Sequence, residues 1–306
     1  MLLSVIIPTH NPRLDYLVRV LAGLRAQILP LDQWELIVVD NASSHALAPQ
    51  IDLTWHPLGR VIVETQLGLT NARLAGFAAA RGEVVILVDD DNVLAPDYLA
   101  QALALAAEQP QLGTWSGNVT LVFEPGIDPP PALWRSFLTE RAVRTDAISR
   151  EREHHDSTPW GAGLCVRRAV CEAYRDELAR NPQRRQLDLH GQTLLYGGDT
   201  DIAYVGCAHG FSKGVFTRFH VDHLIPPRRC ETDYLIRAME GHAYSSVVHG
   251  YLLSGKLDDY FASPIWQTKA WVRRLLLPRT ERIHAACHAR GTARAVRDIR
   301  RMQSQA

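Results

Sequence analysis

The chain has 306 residues, of which 46% are hydrophobic and 22% charged, with a formal net charge of zero. This composition is typical of a soluble globular protein and excludes a disordered tail, a collagen-like fibre and a coiled-coil rod. Apolar runs such as Val84–Val88 are far shorter than the ~20 residues that cross a membrane. The N-terminus indicates a strand, not a signal peptide. Five cysteines without a CxxC pair predict free thiols and a cytoplasmic location.

Strand and helix signals alternate over the first 110 residues. Apolar runs predict strands at Leu2–Ile7, Trp34–Val39, Val61–Glu64 and Val84–Val88. Helical spacing predicts helices at Leu14–Gln27, Gly68–Arg81 and Pro96–Ala107. Continuous apolar strands with helices between them predict an α/β fold, with a mostly parallel sheet covered by helices on both faces. Ligands bind such sheets beyond the carboxyl ends of the strands, where this chain carries polar clusters.

The pattern is less regular beyond residue 110. We predict strands at Trp115–Phe123, Gly161–Val166 and Val215–Val221, and helices at Arg168–Arg180, Thr200–His209 and Asp233–Leu253. Arg135–Glu153 is predicted to be mostly helical and charged. A boundary near Ser254–Lys256 divides a main domain, residues 1–255, from a basic helical C-terminal extension, residues 256–306.

The C-terminal extension concentrates positive charge. From Trp266 to the C-terminus there are ten Lys or Arg against two acids, with apolar residues at Trp266, Trp271 and 275–277. A helix of this kind suits an anionic membrane interface, which here predicts peripheral contact with the inner face of the membrane. The alternative is a helix that packs its apolar face on the main domain or on a second subunit. Both interpretations stay open.

Asp89, Asp90 and Asp91 follow a predicted apolar strand directly. Three adjacent carboxylates repel one another, and a bound Mg²⁺ or Mn²⁺ relieves that repulsion. Because Mg²⁺ takes few protein carboxylates and adds phosphate oxygens, a nucleoside diphosphate is the expected partner. An acidic turn that caps the next helix is the alternative. Farther along the chain, His220 and His223 flank Asp222 and could place one imidazole on a metal.

A second acidic cluster contains Asp199 and Asp201, after Gly197 and Gly198. Glycines before an acid let the backbone approach a ligand, so one of these carboxylates is a candidate general base. Helix capping alone is the alternative for Asp199. Trp160 precedes Gly161 and Gly163, which suits a sugar stacked on indole, although plain packing also explains a tryptophan beside glycines.

Five motifs in order resemble family 2 glycosyltransferases with the GT-A fold. They are Ser4–Asn11, Val38–Ser43, Gly68–Arg73, Asp89–Asp91 and Gly198–Asp201, and the resemblance covers residues 2–225. It implies inverting, metal-dependent glycosyl transfer from a nucleotide sugar, a UDP-sugar in the simplest case, to a hydroxyl acceptor in polysaccharide or glycoconjugate assembly. The acceptor is a sugar or a lipid-linked sugar. Residues 1–110 then form the nucleotide-binding half and 111–255 the acceptor-binding half.

The resemblance also implies roles for individual residues. Pro8, Thr9, His10 and Asn11 line the nucleoside pocket, Asp40 accepts a hydrogen bond from the base, and Arg73 lies near the base or the diphosphate. Asp91 binds the metal directly, Asp89 lies on the ribose or on metal-bound water, and His223 is a third metal contact. Asp90 belongs to the nucleotide-binding residues. Asp199 matches the general base, with Asp201 as the alternative because Gly198 replaces the family's usual acid. Arg228 and Arg229 lie near the leaving phosphate.

Two other functions fit parts of the pattern. Asp89, Asp91 and Val93 match the DxDx[TV] motif of haloacid-dehalogenase-type phosphatases. However, the nucleophile of those enzymes follows the first strand, whereas about eighty residues of nucleotide-site pattern precede Asp89 here. A non-catalytic protein that binds sugar nucleotides on the same fold is the other alternative.

Overall fold

A computed structural model describes residues 2–153, 156–187, 195–257 and 277–305. Its strands are β1 Leu3–Thr9, β2 Trp34–Asn41, β3 Gly59–Glu64, β4 Val84–Leu87, β5 Asn92–Leu94, β6 Leu112–Phe123, β7 Ala147–Ser149, β8 Cys165–Arg167 and β9 Ser212–Ile225. Its helices are α1 Leu14–Arg25, α2 Leu69–Ala79, α3 Tyr98–Glu108, α4 Ala132–Arg135, α5 Arg168–Arg180, α6 Gly198–Ala208, α7 Pro227–Cys230, α8 Thr232–Ser254 and α9 Arg279–Gln305.

The nine strands of the described residues form one sheet in the order β3-β2-β1-β4-β8-β6-β9-β5, with β7 paired to β9. The four strands from β3 to β4 are parallel to one another. The pairs β4–β8, β6–β8, β5–β9 and β7–β9 are antiparallel. The α/β class is as predicted, but the parallel order holds only for the first four strands. A parallel neighbour needs a crossover helix, and the described residues between β6 and β8 contain only the four-residue α4.

Alternate residues of the inner strands pack on opposite faces of the sheet, as the strand repeat requires. On one face, Val5 packs in a cluster with Leu17 of α1 and Leu99 of α3. On the other face, Ile6 packs with Phe77 of α2. Because both faces are covered by helices, every residue of β1 is buried, and its sequence is apolar apart from Ser4 until it ends in Pro8-Thr9.

The prediction of a mostly helical segment over Arg135–Glu153 is wrong. Apart from Arg135 itself, which ends α4, and a single 3₁₀ turn at Ser136–Leu138, the described residues here are extended or irregular. Arg141 forms a β-bridge with Val119, and the Asp146 carboxylate accepts hydrogen bonds from the Thr217 backbone and hydroxyl. Partners distant in sequence therefore override the local helical tendency of these charged residues.

Contacts divide the chain into two compact units. The first comprises Met1–Val122, Thr139–Arg185 and Asp199–Ile225, and the second Phe123–Leu138, Gln186–Gly198 and Pro226–Ala306. Residues 226–255 thus group with the C-terminal helix by contacts, whereas the sequence grouped them with the main domain. The functional boundary near residue 255 stays a prediction.

The second unit contains the helix pair α8 and α9. Gly255, with φ of 70°, ends α8 in a left-handed conformation. Gly291 of α9 lies against Glu240 of α8, where an added Cβ would be 2.3 Å from the Glu240 carbonyl oxygen. The apolar residues Val296 and Ile299 of α9 pack with Val247 of α8. The basic helix therefore buries its apolar face within this unit over the described residues.

Trp266, Trp271 and residues 275–276, on which the membrane interpretation rests, lie outside the described residues. Among the helices that are described, none combines the length and apolar character needed to cross a bilayer. All five cysteines are free thiols, as predicted.

Candidate active site

The polar clusters that follow β1, β2 and β4 lie together at the carboxyl ends of these strands. Thr9 and Asp40 are register partners at the ends of β1 and β2. The Thr9 hydroxyl donates a hydrogen bond to the carboxylate of Asp90, which follows β4. The structure therefore joins motifs that lie up to 81 residues apart, at the sheet edge where the sequence placed the ligand.

Asp40 is buried, and both of its carboxylate oxygens accept backbone hydrogen bonds. The Ser43 N–H donates to Oδ1 at 3.2 Å, and the Leu47 N–H donates to Oδ2 at 3.0 Å. These bonds shape the loop after β2. Each oxygen keeps a second lone pair, so a further hydrogen bond to a ligand is chemically compatible with this arrangement.

Asn41 is a buried residue that the sequence analysis did not single out. Its side-chain amide donates to the carbonyls of Glu64 at 3.1 Å and Gln66 at 2.7 Å, while its oxygen accepts the Gly68 N–H at 2.8 Å. The ring of His10 contacts the Asn41 carbonyl, with 2.8 Å between Nδ1 and the oxygen. Asn41 thus holds the loop that leads into α2. An asparagine directly after Asp40, at a strand end, was the signal available in the sequence.

The predicted metal ligands Asp91 and His223 lie next to each other. The pairing of β5 with β9 places Asn92 opposite His223, and the Leu224 N–H donates to the Asp91 carbonyl at 2.8 Å. His223 Nε2 is 3.5 Å from Asp91 Oδ2, and each side chain is less than a tenth exposed. The Asp89 carboxylate accepts a hydrogen bond from the Asn92 side chain at 3.0 Å.

This donor set fits a divalent cation of the magnesium type. Within the described residues there is no group of three His, Cys, Asp or Glu side chains arranged to hold a metal. Mg²⁺ is commonly held by one or two carboxylates and completes its shell with water and phosphate oxygens. A carboxylate and an imidazole at one edge of the sheet, beside two further aspartates, meet that requirement.

Asp199 and Asp201 have different environments at the start of α6. Asp199 is half-buried, and its carboxylate accepts the Thr200 N–H at 2.7 Å. Asp201 is fully buried and receives two hydrogen bonds from the Arg184 guanidinium, one of them from Nε at 3.1 Å. Asp201 is therefore committed to an internal ion pair, whereas Asp199 is partly accessible.

Arg73 and Asp199 meet at Gly161. The position that a Cβ on Gly161 would occupy lies 3.4 Å from Arg73 Nη2 and 3.4 Å from Asp199 Oδ2. Any side chain at this position would enter the space that borders both groups. The structure thus brings the predicted base, a predicted nucleotide-site arginine and the predicted sugar-site glycine into one place.

Arg141 is a second residue that the sequence analysis missed. Its guanidinium lies over the Trp160 ring, 4.6 Å from the centroid. Burial lowers the pKa of Arg141, and the nearby carboxylates of Asp156 and Asp199 act in the opposite direction. One face of Trp160 is therefore occupied by an arginine, and the predicted sugar stacking concerns the rest of the ring.

Three other predicted site residues have a structural explanation or a different location. Gly163 has φ of 69°, and an added Cβ would lie 2.5 Å from the Tyr98 hydroxyl, so packing alone requires glycine. Arg228 and Arg229 lie on α7 in the second unit. The ligand roles of these residues stay predictions.

Comparison with known proteins identifies the family. The sequence model described as glycosyl transferase family 2 matches residues 4–175, which is more than half of the chain. The chain belongs to glycosyl transferase family 2. Membership agrees with the resemblance found in the motifs and disfavours the phosphatase alternative.

Individual relatives are more distant. EpsH of Bacillus subtilis (strain 168), named as a candidate glycosyltransferase, is 31% identical over 112 residues, which are 36% of this chain and 31% of EpsH. The structure of GalNAc-T7 with UDP, GalNAc and Mn²⁺ matches with a TM-score of 0.52 and 17% identity, covering 81% of this chain and 48% of that one. S. aureus TarS matches with a TM-score of 0.49 and 16% identity, covering 98% and 92%. The fold is that of the GT-A glycosyltransferases.

Proposed function

We propose that this protein transfers a sugar from a nucleoside-diphosphate donor, in the simplest case a UDP-sugar, to a hydroxyl acceptor with inversion at the anomeric carbon. The observation that carries the proposal is the meeting of Arg73 and Asp199 at Gly161, in the same compact unit as the Asp89–Asp91 cluster. Membership of glycosyl transferase family 2 supports the reaction class.

The nucleotide is bound at the ends of β1 and β2 in this proposal. Pro8, Thr9, His10 and Asn11 border the nucleoside, and Asp40 accepts a hydrogen bond from the base. The two backbone bonds that already hold the Asp40 carboxylate fix its orientation, which favours recognition of one base edge. GalNAc-T7, which shares the fold, was solved with UDP, and this supports a uridine nucleotide.

Asp91 and His223 would hold a divalent cation, with Asp89 and Asp90 beside it. When bound, such a cation stabilises the negative charge that develops on the departing diphosphate. Arg73 contributes a fixed positive charge on the same side of the site as Asp199. The phosphate roles of Arg228 and Arg229 stay predictions from the family resemblance.

Asp199 acts as the general base. Its half-buried carboxylate takes the proton of the acceptor hydroxyl as that oxygen forms a bond to the anomeric carbon. The bond from the anomeric carbon to the phosphate oxygen breaks at the same time, and its electron pair stays on the diphosphate. A single displacement from the opposite face inverts the configuration. The buried ion pair of Asp201 with Arg184 favours Asp199 over Asp201 for this role.

The acceptor side is proposed to include Gly161, which borders Asp199, and Trp160, which precedes it in the chain. A role in polysaccharide or glycoconjugate assembly, and a lipid-linked acceptor reached through peripheral membrane contact, stay predictions. The packing of α9 on α8 supports the alternative, that the basic helix completes the protein's own fold.

A donor screen tests the proposed function. UDP- and GDP-sugars are incubated with Mn²⁺ and simple sugar acceptors, and nucleotide release is measured for the wild type and for Asp199→Asn. We expect release from one donor, and its loss in the variant. Tight binding of UDP without release from any donor would instead support a non-catalytic binding protein.

A further inference from the structure

Lys213 is a fully buried lysine on β9. It pairs with Ser149 of β7 in register, and its ammonium donates to the carbonyls of Glu151 at 2.5 Å and Glu153 at 3.1 Å. Burial lowers the pKa of Lys213, and Cys207 together with Glu151 and Glu153 acts in the opposite direction. A buried ammonium is costly unless it is hydrogen-bonded, so this side chain is committed to the chain that follows β7.

Arg141 makes the corresponding contacts farther along the same stretch. It donates to the carbonyl of Thr158 from Nη1 at 2.7 Å and to the carbonyl of Asp156 from Nη2. The Thr158 side chain, which is buried, is also hydrogen-bonded to the hydroxyl of Tyr204. Two cations from different parts of the first unit thus hold four backbone carbonyls of one connection.

We call residues 151–153 and 156–158 the clamped segments; residues 154–155 between them lie outside the described part of the chain. The second clamped segment runs directly into Trp160 and Gly161. The Trp160 N–H donates to the Ser116 hydroxyl at 3.1 Å, and Arg141 also covers one face of its ring. Gly161 then borders Asp199 and Arg73.

We infer that Lys213 and Arg141 are positioning residues, which hold the clamped segments and through them fix Trp160 and Gly161 beside Asp199. The inference rests on the proposed function, because it assigns the clamp to the acceptor side of glycosyl transfer. Neither residue is a catalytic residue in this account: Arg141 faces Asp199 but its two terminal nitrogens are bonded to backbone carbonyls. Lys213 donates to the first clamped segment and lies over the Tyr204 ring.

The inference predicts an effect on acceptor use and not on nucleotide binding. A displacement of about 1 Å in a group that positions a substrate can lower the rate about 100-fold. The nucleotide motifs lie at the ends of β1, β2 and β4, and the hydrogen bonds of Lys213 and Arg141 described above go instead to the clamped segments. UDP affinity should therefore be insensitive to loss of the clamp.

The test uses Lys213→Met, Arg141→Met and the double variant in the full chain. Arg167→Met is the matched control, because Arg167 also donates to three backbone carbonyls, those of Leu112, Ala106 and Gln109, away from the clamped segments. For each variant, the kcat and acceptor KM for nucleotide release, the Kd for UDP and the urea unfolding midpoint are measured. If Lys213→Met does not fold, Arg141→Met, at a half-buried position, supplies the result.

Limited trypsin cleavage tests whether Lys213 holds the first clamped segment, and it requires no measurement of enzymatic activity. Arg150 and Arg152 are exposed. They directly precede Glu151 and Glu153, whose carbonyls accept hydrogen bonds from Lys213. Local opening governs cleavage of such a segment. We expect Lys213→Met to be cut after these arginines about 10-fold faster than the wild type, which corresponds to about 1.4 kcal/mol of lost local stability. Arg167→Met should be cut there at the wild-type rate.

The expected result is a fall of about 10- to 100-fold in kcat over acceptor KM for each clamp variant, with the Kd for UDP unchanged. The double variant should lose less than the product of the single losses, since both residues hold one connection. An equal loss in Arg167→Met, or unchanged trypsin cleavage in Lys213→Met, overturns the inference. If the wild type releases nucleotide from no donor, the proposed function fails and the positioning role fails with it, whereas faster cleavage would still establish the clamp.

Discussion

The carboxylate of Asp201 and the guanidinium of Arg184 form a two-point ion pair in which the side chains are 0% and 8% exposed. Arg184 also donates to Glu177 at 2.6 Å, so the arginine joins α6 to the C-terminal part of α5. This relationship explains why two aspartates separated by one residue, Asp199 and Asp201, have different environments. Asp201 anchors the first turn of α6, from which Asp199 projects.

Replacing Asp201 by asparagine should destabilise the fold. The change leaves the buried Arg184 charge with Glu177 as its remaining carboxylate partner among the described residues, and breaking a buried ion pair typically costs about 3 kcal/mol or more. We expect a clearly lower urea midpoint with kcat reduced only in proportion to the folded fraction. A wild-type midpoint combined with a large loss of kcat would show that Asp201, and not Asp199, is the base.

Replacing Asp199 by asparagine should have the opposite profile. The proton acceptor is lost while the Thr200 N–H can still be capped by the amide oxygen. We expect kcat to fall about 10²–10⁴-fold, the usual contribution of a positioned general base, with the urea midpoint and UDP affinity unchanged. Steady-state kinetics and calorimetric titration with UDP measure the two effects separately. A parallel weakening of UDP binding would contradict the assignment.

Local patterns predicted the elements that carry the nucleotide motifs, because β1, β2 and β4 are buried on both faces and their sequences are mostly apolar, with Ser4 and Glu35 as internal exceptions. The family resemblance assigned Asp91 and His223 to one metal, and the structure places their side chains 3.5 Å apart, while their role as metal ligands stays a prediction. Asn41, Arg141, Lys213 and Arg184 escaped notice for a common reason. Their partners are carbonyls or carboxylates 7 to 62 residues away, and a single polar residue carries no periodicity that reveals such a contact.

Removal of the divalent cation or of Asp91 should abolish transfer. Asp91→Asn removes the carboxylate charge that, beside His223, would hold the cation. Without the cation, the negative charge that develops on the diphosphate lacks its main counter-charge. We expect EDTA and Asp91→Asn each to eliminate nucleotide release, and Mn²⁺ titration of the variant to show weakened binding. Asp32→Asn, at an exposed acid on the surface, is the matched control and should bind Mn²⁺ normally. Full activity in EDTA would exclude the metal-dependent mechanism.

Stability should fall below about pH 6.5 because of His56. Burial lowers the pKa of His56 from its usual 6.5, with Glu35 acting weakly in the opposite direction. Its ring lies edge-on to Trp34, with 4.1 Å between centroids, and Nδ1 accepts the Leu58 N–H. The folded protein therefore keeps this ring neutral at pH values where the unfolded chain binds a proton. The stabilising effect is complete above pH 6.5 and is lost as the pH falls towards the lowered folded-state pKa.

Urea midpoints at pH 7.5, 6.5 and 5.5 measure this dependence. His56→Gln should flatten the decline between pH 6.5 and 5.5, since the titrating group is gone, whereas the exposed His45→Gln should keep the wild-type slope. An unchanged slope in His56→Gln would assign the decline to other groups.

Replacing Asn41 by aspartate should weaken UDP binding more than it slows the chemical step. The variant has nearly the same shape, but it replaces an amide donor with a carboxylate oxygen facing the carbonyls of Glu64 and Gln66. The loop into α2 then loses two hydrogen bonds, and a buried acceptor placed against other acceptors is destabilising. Arg73 lies within the first two turns of α2. A displacement of the loop before α2 would therefore also move Arg73, which belongs to the proposed nucleotide site. We expect the Kd for UDP to rise about 10-fold or more, matching a loss of about 1.4 kcal/mol, with kcat at saturating donor much less affected.

Asn181→Asp, at an exposed asparagine beyond α5, is the control that should leave the Kd unchanged. A normal Kd for Asn41→Asp would mean that the loop before α2 does not contribute to nucleotide binding, and would move the nucleotide contacts to β1 and Asp40 alone.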